Sequence, residues 1–173
     1  MIVIADANVL IDLGLVNGLG VLTKLTKKVE VLDVVFDECT APNQLQDLII
    51  SAGIQRIEVK IDWLLASRQY KQGELSDPDA LCLYYAKEFN RGLITNDKPL
   101  RKASQQQGIK INGTLWIIYQ AHERKILSSD ELCEWISILV RNGSRMPAKE
   151  ISKLRTVMNC SNYGISYLRH LHR

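Results

Sequence analysis

Short apolar runs alternate with segments of helical spacing over roughly the first two thirds of the chain. The apolar runs predict five strands, at residues 2–5, 29–32, 54–61, 93–95 and 109–111. Apolar residues three and four positions apart predict the helices between them, at 8–15, 18–28, 34–38, 44–51, 62–70, 77–88 and 100–107. Strands that alternate with helices are typical of a parallel sheet covered on both faces. We therefore predict an α/β fold, a three-layer α/β/α sandwich with a central, mostly parallel sheet.

The remainder of the chain is predicted to be helical, with helices at 115–124, 128–140 and 147–157. Its last part is also basic, because six lysines and arginines from residue 145 onward face a single acid, Glu150. We divide the chain into a domain at 1–144 and a basic, helical extension at 145–173. Such an extension can attract a phosphate backbone over long range, and it can equally be a solvated surface.

The composition argues against a membrane protein. Of the 173 residues, 46% are hydrophobic and 24% are charged, and the net charge is +3. No apolar run approaches the roughly 18 residues of a membrane span, and Met1 leads directly into a predicted strand, so we expect neither a membrane segment nor a signal peptide. Four cysteines, at positions 39, 82, 133 and 160, lack the spacing of a metal site or a C-x-x-C motif. We expect a reduced, cytoplasmic protein.

Four acidic residues occupy comparable places in the predicted fold. Asp6 and Asp97 follow buried strands, and Glu38 and Asp79 lie in the first turns of helices. Strand ends and helix starts face the same edge of a doubly wound sheet, so these carboxylates can converge, although each could merely cap a helix. Converging carboxylates repel one another, and a hard divalent cation such as Mg²⁺ or Mn²⁺ offsets that repulsion. The sequence therefore predicts a metal site that could support phosphodiester hydrolysis.

The third acid could be either of two residues. Asp77 directly precedes Pro78, a favoured residue of the first helical turn, so we expect Asp77 to cap this helix and to leave Asp79 free for other contacts. Asp77 nevertheless stays open as the alternative ligand.

Other side chains have a structural and a functional interpretation. Lys98 and Arg101 follow Asp97 and could contact phosphates, or could lie on a solvated helix face. The three tryptophans stand among apolar helical neighbours, which indicates packing in the core or at an interface rather than base stacking. Trp116 and Tyr119 could line a dimer contact.

Several short motifs together resemble the PIN-domain nucleases over residues 2–125. The motifs are residues 2–10, Glu38, residues 77–81, and residues 93–97 followed by Leu100 and Arg101. Each motif is weak alone, but their order and spacing are fairly specific. Residues 108–115, with the end of the following helix at 125–127, resemble the toxin-like, VapC-type branch of bacteria and archaea.

This resemblance implies a function and a set of site residues. It implies a Mg²⁺ or Mn²⁺ site held by Asp6, Glu38, Asp79 and Asp97, which cleaves RNA. Thr95 or Asn96 would orient an acid or a water molecule, and Asn8 would do likewise. The resemblance also implies a homodimer and a small antitoxin partner. One departure is Ala7, because toxins of this type often carry Ser or Thr there.

Two other classes of function compete with this interpretation. A phosphohydrolase with an aspartyl nucleophile would have a D-x-D motif at the first strand, and here Asn8 replaces the second acid. A non-catalytic RNA-binding or scaffold domain could keep the fold without the reaction, although all four acids are present.

Overall fold

A computed structural model describes residues 1–160 and contains a five-stranded parallel sheet. The strands are β1 (Ile2–Ala5), β2 (Lys28–Leu32), β3 (Gln55–Ile57), β4 (Gly92–Ile94) and β5 (Ile111–Asn112). Their order across the sheet is β3-β2-β1-β4-β5, and every neighbouring pair is parallel. The predicted α/β fold with a central parallel sheet is thereby confirmed.

Ten α-helices connect and follow these strands within residues 1–160. They are α1 (Ala7–Leu15), α2 (Leu19–Leu25), α3 (Asp33–Glu38), α4 (Leu45–Ser51), α5 (Ile61–Ser67), α6 (Asp77–Glu88), α7 (Lys98–Gln106), α8 (Thr114–Glu123), α9 (Ser129–Arg141) and α10 (Ala148–Val157). A 3₁₀ turn, Arg68–Tyr70, extends α5. The central strands are buried on both faces, since consecutive residues Val3, Ile4 and Ala5 have no exposed surface. Helices therefore cover both sides of the sheet, as in a three-layer sandwich.

The two edge strands differ from the prediction. The strand predicted at 54–61 pairs only over Gln55–Ile57, because the Val59 amide donates to the Asp33 carboxylate (3.1 Å) and α5 begins at Ile61. The last strand lies at Ile111–Asn112 rather than at 109–111. Edge strands have one neighbour, so their apolar pattern constrains the ends less tightly than it does for central strands.

The predicted C-terminal extension contributes to the same core as far as it is described. Leu154 on α10 and Met158 after it are buried with the residues of the sheet helices. Cys133 on α9 and Cys160 form a disulfide, with their Cα atoms 5.7 Å apart. This disulfide disagrees with the reduced protein that was expected from the sequence. The two cysteines lie 27 positions apart along the chain. The division at residue 144 stays a prediction, and residues 161–173 lie outside the described part.

Within residues 1–160, no single helix is long and apolar enough to span a membrane. Helices α1 and α2 reach that length only together, and the chain bends by 119° between them. Both contribute buried residues to the core.

Candidate functional site

The strand order reverses between β1 and β4, which lie side by side at the centre of the sheet. Asp6 directly follows β1, and its backbone amide donates to the Ile94 carbonyl at the end of β4 (3.0 Å). Thr95, Asn96 and Asp97 directly follow β4. In open α/β sheets, ligands bind at the carboxyl ends of the strands where the order reverses. The topology therefore brings Asp6 and Asp97 to the place where a ligand is expected.

Asp6 is a buried carboxylate with two side-chain donors. The residue is only 6% exposed, and its Oδ2 atom accepts hydrogen bonds from Thr95 Oγ1 (2.8 Å) and Asn8 Nδ2 (3.1 Å). Burial raises the pKa of Asp6 to about 6; the two hydrogen bonds oppose this shift, and the charge of Asp79 adds to it. Asn8 and Thr95, which were predicted to orient an acid, are the two side chains that donate to Asp6, and their role in the site stays a prediction.

Asp79 lies within electrostatic reach of both Asp6 and Glu38. Burial, and then the charge of Asp79, raises the pKa of Glu38. The thiol of Cys82 on α6 is buried, and its pKa is raised first by burial and then by the charges of Asp6, Asp79 and Glu38. The charges of three of the four predicted acids thus act on this one buried thiol. Glu38 is the last residue of α3, which has only six residues, so it lies in the second turn of that helix, and it is exposed.

The contacts at the start of α6 distinguish Asp79 from Asp77, the alternative third acid. Ser76, and not Asp77 as predicted, caps the helix: the Asp79 amide donates to Ser76 Oγ (3.2 Å), and Asp79 Oδ2 accepts from the Ser76 amide (2.9 Å) and hydroxyl (2.7 Å). This reciprocal arrangement is a capping box, so Asp79 is not free of the helix start as predicted. The Asp77 side chain is 78% exposed and pairs with Lys71 at 2.5 Å. Only Asp79 of the two influences the pKa of Asp6 and Glu38.

Asp97 is joined to Asp6 through Thr95. The Thr95 hydroxyl, which has no exposed surface, donates to Asp6 and accepts from the Asp97 amide (3.0 Å). Asp97 Oδ1 caps α7 by accepting from the Leu100 amide (2.9 Å). Its Oδ2 atom accepts from Arg145 Nη1 (3.1 Å). Asp97 therefore caps a helix, as the alternative interpretation had it, and its second carboxylate oxygen is paired with Arg145.

The other predicted site residues, Lys98, Arg101 and Asn96, differ in exposure and in their contacts. Lys98 is exposed on the first turn of α7. Arg101 donates from Nη1 to the Thr95 carbonyl (2.8 Å), which supports the loop after β4. Asn96 turns away from the four acids and donates to Asp12 Oδ2 (3.0 Å) and Thr114 Oγ1 (2.7 Å).

Asp12 is a second buried carboxylate that the sequence analysis missed. It is 6% exposed and accepts from the side chains of Asn96, Thr114 (2.9 Å) and Ser144 (2.5 Å). Burial raises the pKa of Asp12, and the three hydrogen bonds oppose that rise. The residue ties α1 to the loop after β4, the start of α8 and the segment before α10. A carboxylate between Leu10 and Leu13 on a helix that is mostly apolar was the signal for it.

The donor set fits a hard divalent cation. Carboxylate oxygens are the ligands that Mg²⁺ and Mn²⁺ prefer. Within residues 1–160, no lysine or arginine forms an ion pair with Asp6, Glu38 or Asp79, so their negative charge is uncompensated. In the same residues, no three side chains of His, Cys, Asp or Glu are placed so that they could hold an ion as they stand. The acids therefore do not form a coordination site as they stand.

Comparisons with known proteins identify the family. The family model of the PIN domain matches residues 2–159, so the chain belongs to the PIN-domain family. PIN domains are in general nucleases that use divalent metal ions. One similar solved structure is a PilT N-terminus domain protein from the hyperthermophilic archaeon Sulfolobus solfataricus P2. The match has a TM-score of 0.54 and 14% identity, and it covers 71% of this chain and 95% of that chain. At this identity the likeness shows the fold alone. No curated protein matches the chain.

Proposed function

We propose that this protein is a Mg²⁺- or Mn²⁺-dependent endoribonuclease. The observation that carries the proposal is a group of three acids in which Asp79 lies within electrostatic reach of both Asp6 and Glu38. Within residues 1–160, no lysine or arginine forms an ion pair with any of the three. The Thr95 hydroxyl links the backbone of Asp97 to the Asp6 carboxylate, which supports Asp97 as a fourth member of the group. The position of these residues where the strand order reverses supports the same conclusion.

The protein's own residues would hold the ion and orient the reacting groups. Asp6, Glu38, Asp79 and Asp97 are the proposed ligands, and Asn8 and Thr95 fix the orientation of the Asp6 carboxylate. When bound, a divalent ion supplies positive charge that polarises the phosphodiester and eases the deprotonation of water. Lys98, which is exposed beside Asp97, would contact a substrate phosphate.

Water is the proposed nucleophile, because the nearby thiols are unsuitable. The Cys39 side chain is buried, and burial together with the charges of Asp6 and Glu38 raises its pKa to about 12. Cys82 is buried as well, with its pKa raised by the same causes. A thiol reacts as its thiolate, so neither group would be an active nucleophile near neutral pH.

A cleavage assay with single-stranded RNA tests the proposal. We expect cleavage that requires Mg²⁺ or Mn²⁺ and stops with a chelator. Asp6→Asn and Asp97→Asn should each lower the rate by at least about a hundredfold, because each removes a proposed ligand charge. Asp77→Asn is the matched control: this carboxylate is exposed and paired with Lys71, so its loss should leave the rate unchanged. Full activity of Asp97→Asn would remove Asp97 from the site.

The same assay separates the competing functions. Binding of RNA without any metal-dependent cleavage would favour a binding or scaffold domain. Release of phosphate from small monoesters, with RNA left intact, would favour a phosphohydrolase.

We further propose that the protein is the toxin of a type II toxin–antitoxin pair, acts in the cytoplasm and forms a homodimer. The support is the resemblance of residues 108–115 to the toxin-like branch. Expression in a bacterial host should arrest growth, and Asp6→Asn should relieve the arrest. Sedimentation measures the oligomeric state. Unimpaired growth with cleavage-active protein would contradict the toxin role.

A further inference from the structure

A groove of about 1070 Å³ opens beside the proposed site. One wall consists of β5 and α8, and the other consists of α10 and the segment before it; we call it the α8/α10 groove. Asp97 and Lys98 are part of its lining. Asp97 belongs to both the acid group and the groove lining, so a polymer bound at the acids can extend into the groove.

Arg145 lies where the groove meets Asp97. Its side chain is 67% exposed, and a single ion pair of 3.1 Å joins it to Asp97. Its chain neighbour Ser144 is fixed by the hydrogen bond to buried Asp12, so the backbone at Arg145 is anchored while the guanidinium is open to solvent. An arginine fork matches the geometry of a phosphate, and it can turn from one oxygen acceptor to another nearby.

The α8 wall carries two aromatic side chains. Trp116 and Tyr119 are three residues apart, and therefore on one face of the helix, and both line the groove. Tyr119 is 41% exposed. Aromatic side chains that accept stacked bases, flanked by cations that contact the backbone, are the usual composition of a single-strand binding surface. The lining holds four cations, Lys98, Arg101, Arg145 and Lys153, against two acids besides Asp97.

We propose that the α8/α10 groove binds the single-stranded RNA that flanks the cleavage point. Arg145 contacts a phosphate, and Tyr119 and Trp116 stack against bases. This inference rests on the proposed function in that RNA is taken as the substrate. It assigns to the segment after residue 144 a direct part in substrate binding. A second copy of the chain and a protein partner are the competing occupants.

Binding measurements in the cleavage-inactive Asp6→Asn protein test this assignment. The probe is a fluorescein-labelled oligouridine of about ten nucleotides, titrated over a range of salt concentrations. Arg145→Ala should weaken binding and lower the salt-dependence slope by about one, and Arg145→Lys should restore the slope. Tyr119→Ala should weaken binding about tenfold with an unchanged slope. Lys24→Ala is the control: Lys24 is exposed on α2 outside the groove, and its loss should change neither quantity.

Crosslinking locates the RNA directly. An oligonucleotide carrying 4-thiouridine should crosslink to peptides of α8 or α10 in Asp6→Asn protein. Crosslinks confined to other regions, or unchanged affinity in both Arg145→Ala and Tyr119→Ala, would overturn the inference. A change in oligomeric state alone would overturn it as well and assign the groove to a second copy. RNA held in the groove without cleavage by the wild type would refute the proposed function and leave the groove as an RNA-binding surface. Cleavage at the wild-type rate by both Arg145→Ala and Tyr119→Ala would overturn this inference and leave the proposed function standing.

Discussion

At the scale of single residues, Gly113 marks the closest approach of the two loops that shape the site. A Cβ atom at this position would lie 2.5 Å from Asn96 Oδ1 and 3.2 Å from the Thr95 carbonyl oxygen. Asn96 accepts from the Thr114 amide through that same oxygen (3.0 Å). A side chain at 113 would therefore displace the loop that carries Thr95 and Asp97.

Gly113→Ala is expected to impair both stability and cleavage. Overpacking should lower the free energy of unfolding by about 1–3 kcal/mol. The displaced loop should also lower the rate of RNA cleavage. Urea unfolding and the cleavage assay measure the two effects. Gly20→Ala is the matched control, because a Cβ there meets no atom within 4 Å and alanine favours helix α2. Equal behaviour of the two variants would contradict the role given to Gly113.

Some residue roles could be predicted from the sequence and others could not, and the difference is how far along the chain the contact partners lie. Asp6 and Asp97 follow buried strands, and a parallel sheet places such residues at one edge whatever the rest of the chain does. Asp12 and Arg145 depend on partners that lie 132 and 48 positions away, respectively, and no local pattern reports those contacts. Their roles become visible only when α10 is placed against the sheet domain.

At the scale of elements, two helices begin with the same device. Ser76 and Asp79 form a capping box at the start of α6, and Ser128 and Glu131 form one at the start of α9. Only the first of these boxes contains a proposed metal ligand. The Ser-x-x-acid pattern is local and marks a helix start in the sequence, although the cap of α6 is Ser76 and not Asp77 as predicted.

Ser76→Ala and Ser128→Ala should separate stability from activity. Each removes a capping hydroxyl and should lower the free energy of unfolding by about 1 kcal/mol. Only Ser76→Ala also removes a hydrogen bond to Asp79, and it should raise the Mg²⁺ concentration for half-maximal cleavage by about tenfold, as loss of support for a ligand does. A metal titration of the cleavage rate checks this. An equal metal requirement in both variants would argue against Asp79 as a ligand.

At the scale of the whole molecule, a buried ion pair connects the sheet to the region before β4. Glu30 on β2 is 1% exposed and accepts from Arg91 Nε (2.9 Å) and from the Tyr85 hydroxyl (3.0 Å), and Lys28 lies 3.2 Å away. Burial raises the pKa of Glu30, but the hydrogen bonds from Arg91, Lys28 and Tyr85 outweigh it and leave the pKa below the ordinary 4.5.

Arg91→Ala should destabilise the protein by about 3 kcal/mol at neutral pH, because it leaves a buried carboxylate without its main partner. Lys28→Ala, which removes a half-exposed partner of the same carboxylate, should cost less than about 1 kcal/mol. A group whose pKa is lowered on folding stabilises the protein above its unfolded value and loses that contribution as the pH falls. The difference between wild type and Arg91→Ala should therefore shrink below pH 4.5. Urea unfolding between pH 7 and pH 3 measures it, and a constant difference would contradict the ionised pair.

The buried hydroxyl of Thr95 limits how far Asp6 and Asp97 can move relative to each other. Since one oxygen atom bonds the side chain of Asp6 and the backbone of Asp97, their separation tolerates only the variation of two short hydrogen bonds. Valine has nearly the same outline as threonine but would break this link, so position 95 selects for a functional group rather than for a shape.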